Sequence, residues 1–308
     1  MDPNHELKKV TIRAKRAAAL ILTAVLLASC SSKPEATEET TSETTAFTEI
    51  SVETTEIEVP GSEFPPITYV YSEPDMEKTE SLTKSMIFYR DGNPIYGKIT
   101  LPPGKGPFKT IIISNGLYAP LGRYSNKALS YSEKGYAVVE FQYQNGTPPE
   151  SYDDPEFLGD FIYEQVKDLF VVMDSMQYIP YVDTSNLYLY GHSMGGLVTS
   201  YVGAMRQDKV KGLILVDPSF YATDLMSFEK DPTITTEIYP LLKECKIPAM
   251  IITGTAGSFG EDPHAFDDAM KAFPKCQLIR IEGATHTMEG EASEQVVELS
   301  VEAMKKWG

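Results

Sequence analysis

A serine bracketed by glycines, in Gly191-His192-Ser193-Met194-Gly195-Gly196, carries the clearest chemical meaning in this chain. The strand-like run Leu187–Tyr190 leads straight into it, and a helical pattern follows at once. A residue on so sharp a strand-to-helix turn has strained backbone angles, and side chains two residues to either side would collide, so both positions call for glycine. The turn lifts the Ser193 hydroxyl clear of a sheet and sets it at the positive end of a helix, where developing negative charge is favoured. The chemistry this suits is nucleophilic catalysis by a serine hydroxyl, which needs a base to take its proton. A Gly-rich turn with no chemical role is the competing reading.

Such a turn needs a sheet beneath it. Met86–Tyr89 and Ile95–Leu101, joined by Asp91-Gly92-Asn93-Pro94, read as an antiparallel hairpin. Short, β-branched runs follow at Thr110–Ser114, Ala137–Tyr143, Leu187–Tyr190, Leu213–Val216, Ala249–Thr253 and Gln277–Glu282. Their nearly continuous apolar character is that of parallel strands covered on both faces. Helical stretches fall near 123–133, 157–177, 195–206, 263–272 and 291–306. This order predicts a doubly wound, mostly parallel α/β sheet with an N-terminal antiparallel hairpin, in one domain over 61–308. Ligands in such sheets sit beyond the C-terminal ends of the strands, where Ser193 falls. The segment Ser219–Lys246 is short for a separate lid domain and predicts a modest helical cap, with Tyr118, Tyr143 and Met194 as candidate lining of an accessible pocket.

Over residues 86–308 the chain resembles the α/β-hydrolases, particularly the small esterases related to cinnamoyl esterases and the serine aminopeptidase-like hydrolases. The likeness rests on Tyr96-Gly97-Lys98 through Gly106-Pro107-Phe108, on Asn186–Gly196 and on Ile281–His286. It implies a catalytic serine, acid and histidine in that chain order. Of the four histidines, His5 lies in the leader. His192 adjoins the nucleophile, on a tight turn where neighbouring side chains diverge. His264 sits at the start of a predicted helix. His286 follows the last strand in Gly283-Ala284-Thr285-His286, on the C-terminal side of the serine as the family order requires, so His286 is the candidate base.

The acid departs from the family pattern. Relatives usually place Asp about three residues beyond the glycine that ends the penultimate strand, and here Gly257 stands there. The stretch Gly257-Ser258-Phe259-Gly260 moves the candidate to Glu261 or Asp262, although Asp262 before Pro263 is also a ready helix cap, a reading of slightly greater weight. Asp217, in Val216-Asp217-Pro218-Ser219, stands where lipases of the pancreatic type carry their carboxylate; it also suits a turn before proline. Asp262 is taken first as the catalytic acid, with Asp217 as the alternative. The oxyanion hole is expected from the backbone N–H groups of Met194 and Leu117, the latter in Asn115-Gly116-Leu117-Tyr118, where the family usually has His-Gly-x.

The rest of the chain sets the surroundings. With 27 basic and 44 acidic residues the net charge is −17, which repels phosphate backbones and argues against nucleic-acid partners. Residues 1–29 carry Lys8, Lys9, Arg13, Lys15 and Arg16 before the apolar run Ala17–Ala28, the pattern of a signal peptide and too short for comfortable membrane spanning. Leu27-Ala28-Ser29-Cys30 resembles the lipobox of bacterial lipoproteins, which implies acylation of Cys30 and an exported protein tethered to a membrane on its extracytoplasmic side. Residues 30–60, rich in Thr and Glu, predict a disordered, extended spacer. Cys245 and Cys276 precede two successive strands and form either a disulfide or two independent thiols.

The leading expectation is a surface-tethered serine hydrolase that cleaves small-molecule carboxylic esters through an acyl-enzyme, with no metal or organic cofactor. A peptidase or amidase with the same triad, and a catalytically inactive binding lipoprotein, are the alternatives.

Overall fold

The computed structural model describes residues 54–57, 67–70, 81–145, 155–225 and 237–308. The signal peptide, Cys30 and all of the expected spacer but four residues lie outside them. Those four, Thr54–Ile57, are a strand (β1) rather than spacer, paired antiparallel with β2 (Ile67–Val70). Thr55 and Ile57 are β-branched, and an edge strand needs only main-chain partners, so a polar composition hides it.

The hairpin expected from sequence is β3 (Leu82–Arg90) and β4 (Asn93–Leu101). Then come β5 (Phe108–Ser114), α1 (Ser125–Glu133), β6 (Ala137–Phe141), α2 (Pro155–Ser175), β7 (Val182–His192), α3 (Met194–Met205) and β8 (Gly212–Val216). The chain finishes with α4 (Ile238–Lys243), β9 (Ala249–Gly254), α5 (Asp267–Ala272), β10 (Cys276–Ile281) and α6 (Glu291–Trp307). The strands form one sheet in the order β1-β2-β3-β4-β6-β5-β7-β8-β9-β10. Pairing is antiparallel from β1 to the β4–β6 contact and parallel from there to β10. This is the doubly wound, mostly parallel sheet the sequence predicts, with a longer antiparallel extension.

The alternation of strand side chains divides the core between the two faces of the sheet. Ile112, Val139, Leu189, Leu215 and Ile251 pack with Leu169, Leu197, Val198 and Leu242 from α2, α3 and α4. Ile111, Ile113, Tyr188, Tyr190, Ile214 and Ile252 meet Ala128 and Tyr131 of α1 and Val297 and Val301 of α6 on the other face. Burial of each large aliphatic side chain contributes about 1.5–3 kcal/mol, so the unbroken apolar runs of the strands hold both layers to the sheet. Among the described residues no helix is long and apolar enough to cross a membrane.

The segment after β8 runs as a 3₁₀ turn over Phe220–Leu225 and resumes at α4. Phe220 and Ile238 are both core residues. Helix α5 starts later than expected, because residues 262–266 are turned rather than helical: the His264 amide donates to Asp262 Oδ1 at 2.8 Å and the Ala265 amide to its carbonyl at 3.2 Å. Cys245 and Cys276 are both free thiols, and burial pushes Cys276 up to about 12.

Candidate active site

The serine turn owes its shape to close main-chain approaches. Ser193 has φ 56° and ψ −122°, between the last residue of β7 and the first of α3. A Cβ on Gly191 would overlap the Gly195 carbonyl, and one on Gly195 would overlap the carbonyls of Ser114 and Asn115. The glycine spacing is therefore enforced by contact. The Ser193 amide bonds Val216 O at 2.9 Å, so the ladder between β7 and β8 continues into the turn. Holding a non-glycine residue in such a conformation costs on the order of 1–3 kcal/mol, which the surrounding bonds must offset.

Three elements converge on this serine. His286, in the connection between β10 and α6, places Nε2 3.1 Å from Ser193 Oγ. Its Nδ1 lies 2.5 Å from Oδ2 of Asp217, the residue just beyond β8. A carboxylate accepts only, so Nδ1 carries the proton and the Nε2 lone pair faces the serine hydroxyl. Asp217 is fully buried and has φ 41°, and its amide bonds Ile252 O at 2.7 Å. Its Oδ1 accepts from the Thr253 hydroxyl at 2.5 Å, and Oδ2 also accepts from the Phe259 amide at 3.1 Å. Three donors thus fix a carboxylate that has no access to water.

This geometry corrects the order of the two acid candidates. Asp262, taken first from sequence, is exposed and engages only its own turn; Asp217 is the carboxylate beside His286. The stretch 257–261, where the family's acid was sought, instead supplies the Phe259 amide to Asp217. It also sets the Phe259 ring 4.7 Å from the imidazole of His286. Glu261 accepts the Gly257 amide at 3.1 Å. His264 is 78% exposed and pairs with Asp267, away from the serine.

Met194 opens α3, so its N–H has no acceptor within the helix and lies directly after Ser193. The loop after β5 closes against the same turn: a Cβ on Gly116 would stand 3.3 Å from Ser193 Cβ. Leu117 follows it. Asn115 is buried and donates to Phe141 O at 2.8 Å, which ties the loop to β6. Of the residues expected to line a pocket, Tyr143 and Met194 are buried in the core cluster and Tyr118 is exposed.

His192 is the residue whose part sequence reasoning missed. It is buried, with Nδ1 2.8 Å from the Tyr124 hydroxyl and Nε2 2.6 Å from the His286 carbonyl oxygen. Burial, reinforced by the neighbouring His286 imidazole, holds it far below the ordinary histidine range. Thr253 and Phe259 were missed as well; only the Gly-rich insertion at 257–260 hinted that this loop departs from its relatives. Among the described residues no cluster of three or more His, Cys, Asp or Glu side chains has the arrangement of a metal site.

The architecture is the α/β-hydrolase fold. A family model described as Serine aminopeptidase, S33, matches residues 105–242. Esterase EstD of Thermotoga maritima is 27% identical over 160 residues, which cover 48% of this chain and 35% of the esterase, so the likeness spans about a third of that protein's length. Est1E from Butyrivibrio proteoclasticus, solved with ferulic acid, superposes with a TM-score of 0.57 at 18% identity, covering 72% of this chain and 98% of that one. A dienelactone hydrolase from Anabaena variabilis gives 0.56 at 16% identity over 74% of this chain and 99% of its own. An acetyl xylan esterase from Paenibacillus sp. R4 gives 0.57 at 16% over 79% and 88%.

Proposed function

We propose that this chain is a serine hydrolase that cleaves carboxylic esters of small molecules through an acyl-enzyme. The observation that carries the reading is the unbroken contact from Ser193 Oγ through the His286 ring to the buried Asp217 carboxylate. Ser193 attacks the ester carbonyl carbon while Nε2 of His286 takes its proton. Asp217 holds the imidazole tautomer and stabilises the imidazolium that forms. The N–H groups of Leu117 and Met194 receive the oxyanion, each contributing about 3 kcal/mol to the transition state. Collapse breaks the bond to the alcohol, which leaves with the proton from Nε2. Water then attacks the acyl-serine, gives a proton to Nε2, and the acid is released as the proton returns to Ser193.

The likeness to esterases supports the ester over the amide, and the S33 match makes the amide the natural comparison. A fluorophosphonate should label Ser193 of the wild type, and Ser193→Ala should abolish both labelling and ester turnover. Absence of labelling in folded wild type would sink the enzyme reading. Faster turnover of an amide than of the matched ester would replace esterase with amidase.

The chain is further proposed to be exported and tethered through diacylglycerol on Cys30, two acyl chains giving stable anchoring at about 0.8 kcal/mol per buried methylene. Palmitate labelling that survives Cys30→Ser, or a variant that stays with the membrane fraction, would overturn the anchor.

A further inference from the structure

We propose that His192 is a positioning residue for His286, a neutral imidazole that fastens the main chain of the catalytic base to the strand that bears the nucleophile. The inference rests on the reading of Ser193 and His286 as nucleophile and base, and it assigns a role to the histidine within the serine turn.

The protonation pattern follows from its partners. The His286 carbonyl oxygen accepts only, so His192 Nε2 carries the proton and donates across 2.6 Å. Nδ1 then holds the lone pair and accepts from the Tyr124 hydroxyl at 2.8 Å. Tyr124 precedes the first turn of α1, so this bond fixes the tautomer from a third element. Neutrality also suits the neighbour: the two rings lie 4.8 Å apart, and a charged His192 would oppose the imidazolium that forms on His286. Burial and His286 both hold His192 in the uncharged form.

The need for such a fastener is visible in how the three reacting groups are held. Ser193 and Asp217 both continue the parallel ladder through their own amides. His286 has no strand under it. Its amide makes a bond of 3.3 Å to Gly257 O, and its connection contains Gly283 and Met288 at positive φ. The bond to His192 is much shorter and is directed at the His286 peptide itself, which sets the direction of the Cα–Cβ bond and hence of the ring. Because His192 precedes Ser193 in sequence, base and nucleophile are referred to the same strand end.

Amide side chains of two lengths separate this role from mere packing. Gln places its NH₂ near the position of an imidazole Nε2, whereas Asn reaches only to that of Nδ1. With a p-nitrophenyl ester as probe, His192→Asn and His192→Leu should lower kcat on the order of a hundredfold, the cost of displacing a reacting group by about 1 Å. KM should stay near the wild-type value, and His192→Gln should restore most of kcat. Equal activity of the Gln and Asn variants, or an unaltered kcat in His192→Leu, would overturn the proposal. Long-range ¹H–¹⁵N spectra of the wild type test the tautomer without relying on turnover: an Nε2–H form at neutral pH is expected, and an Nδ1–H or doubly protonated ring defeats it. A wild type that neither labels nor turns over removes the catalytic reading and His192's role with it, whereas an active wild type with indifferent variants removes the role alone.

Discussion

Oδ2 of Asp217 stands 2.5 Å from Nδ1 of His286, although the two residues are 69 positions apart and carried on different sides of β9 and β10. In the proposed mechanism that contact gives Asp217 the part of the acid. Asp217→Asn should lower kcat by about 10⁴-fold, the scale seen when the acid of such a triad no longer selects the right tautomer. Asp262→Asn, which touches only an exposed turn, should leave ester turnover close to wild type. Steady-state kinetics on both variants decides, and the reverse ranking would restore Asp262.

Thr253 is fully buried, and its hydroxyl bonds Asp217 Oδ1 at 2.5 Å. Replacing it with valine keeps the shape and strands a buried carboxylate oxygen, at a cost of about 1–3 kcal/mol. Urea denaturation should show a lower midpoint for Thr253→Val, with turnover reduced less than in Asp217→Asn. An unchanged midpoint would mean that the hydroxyl does not bear on the carboxylate.

Gly195→Ala tests the contact origin of the serine turn. The added Cβ meets the carbonyls of Ser114 and Asn115, both backbone and unable to rotate away. Overpacking of this kind costs about 1–3 kcal/mol or more. The variant should melt lower and lose fluorophosphonate labelling, because relieving the overlap displaces the serine turn and the loop after β5 relative to each other.

Lys127 gives stability an alkaline dependence. Buried between α1 and α6, with Nζ 2.8 Å from Ser293 Oγ, it is pushed by burial from 10.5 down to about 8. Between those values the unfolded chain holds the proton that the folded chain has released, so stability rises with pH across the window. The contribution is complete above about 10.5 and is lost as pH falls through 8. Wild type should therefore gain stability relative to Lys127→Met from pH 8 to 10 in paired urea titrations; parallel curves would refute the shift.

The parallel strands were legible because burial on both faces writes itself as unbroken apolar runs, as in Ile111-Ile112-Ile113 and Leu213-Ile214-Leu215. Ser193 and its glycines were legible because the turn excludes every larger side chain. The strand at Thr54–Ile57 was not, since its main-chain pairing leaves no mark on a Thr- and Glu-rich composition. The acid was unreadable for another reason: both candidates stand directly before a proline, and only the way β8 stands beside β9 brings Asp217 under His286. His192 was set aside because adjacent side chains on a tight turn diverge. They do, and both still reach His286, one at its carbonyl and the other at its ring.

The amides of Ser193 and Asp217 each occupy a rung of the sheet, one on Val216 and the other on Ile252. Ser193 and Asp217 are thereby bolted to a common frame, whereas His286 reaches that frame only through the His192 contact and the bonds of its own loop. Gentle warming should silence the molecule while its circular dichroism is still intact, since those few contacts give way before the sheet does.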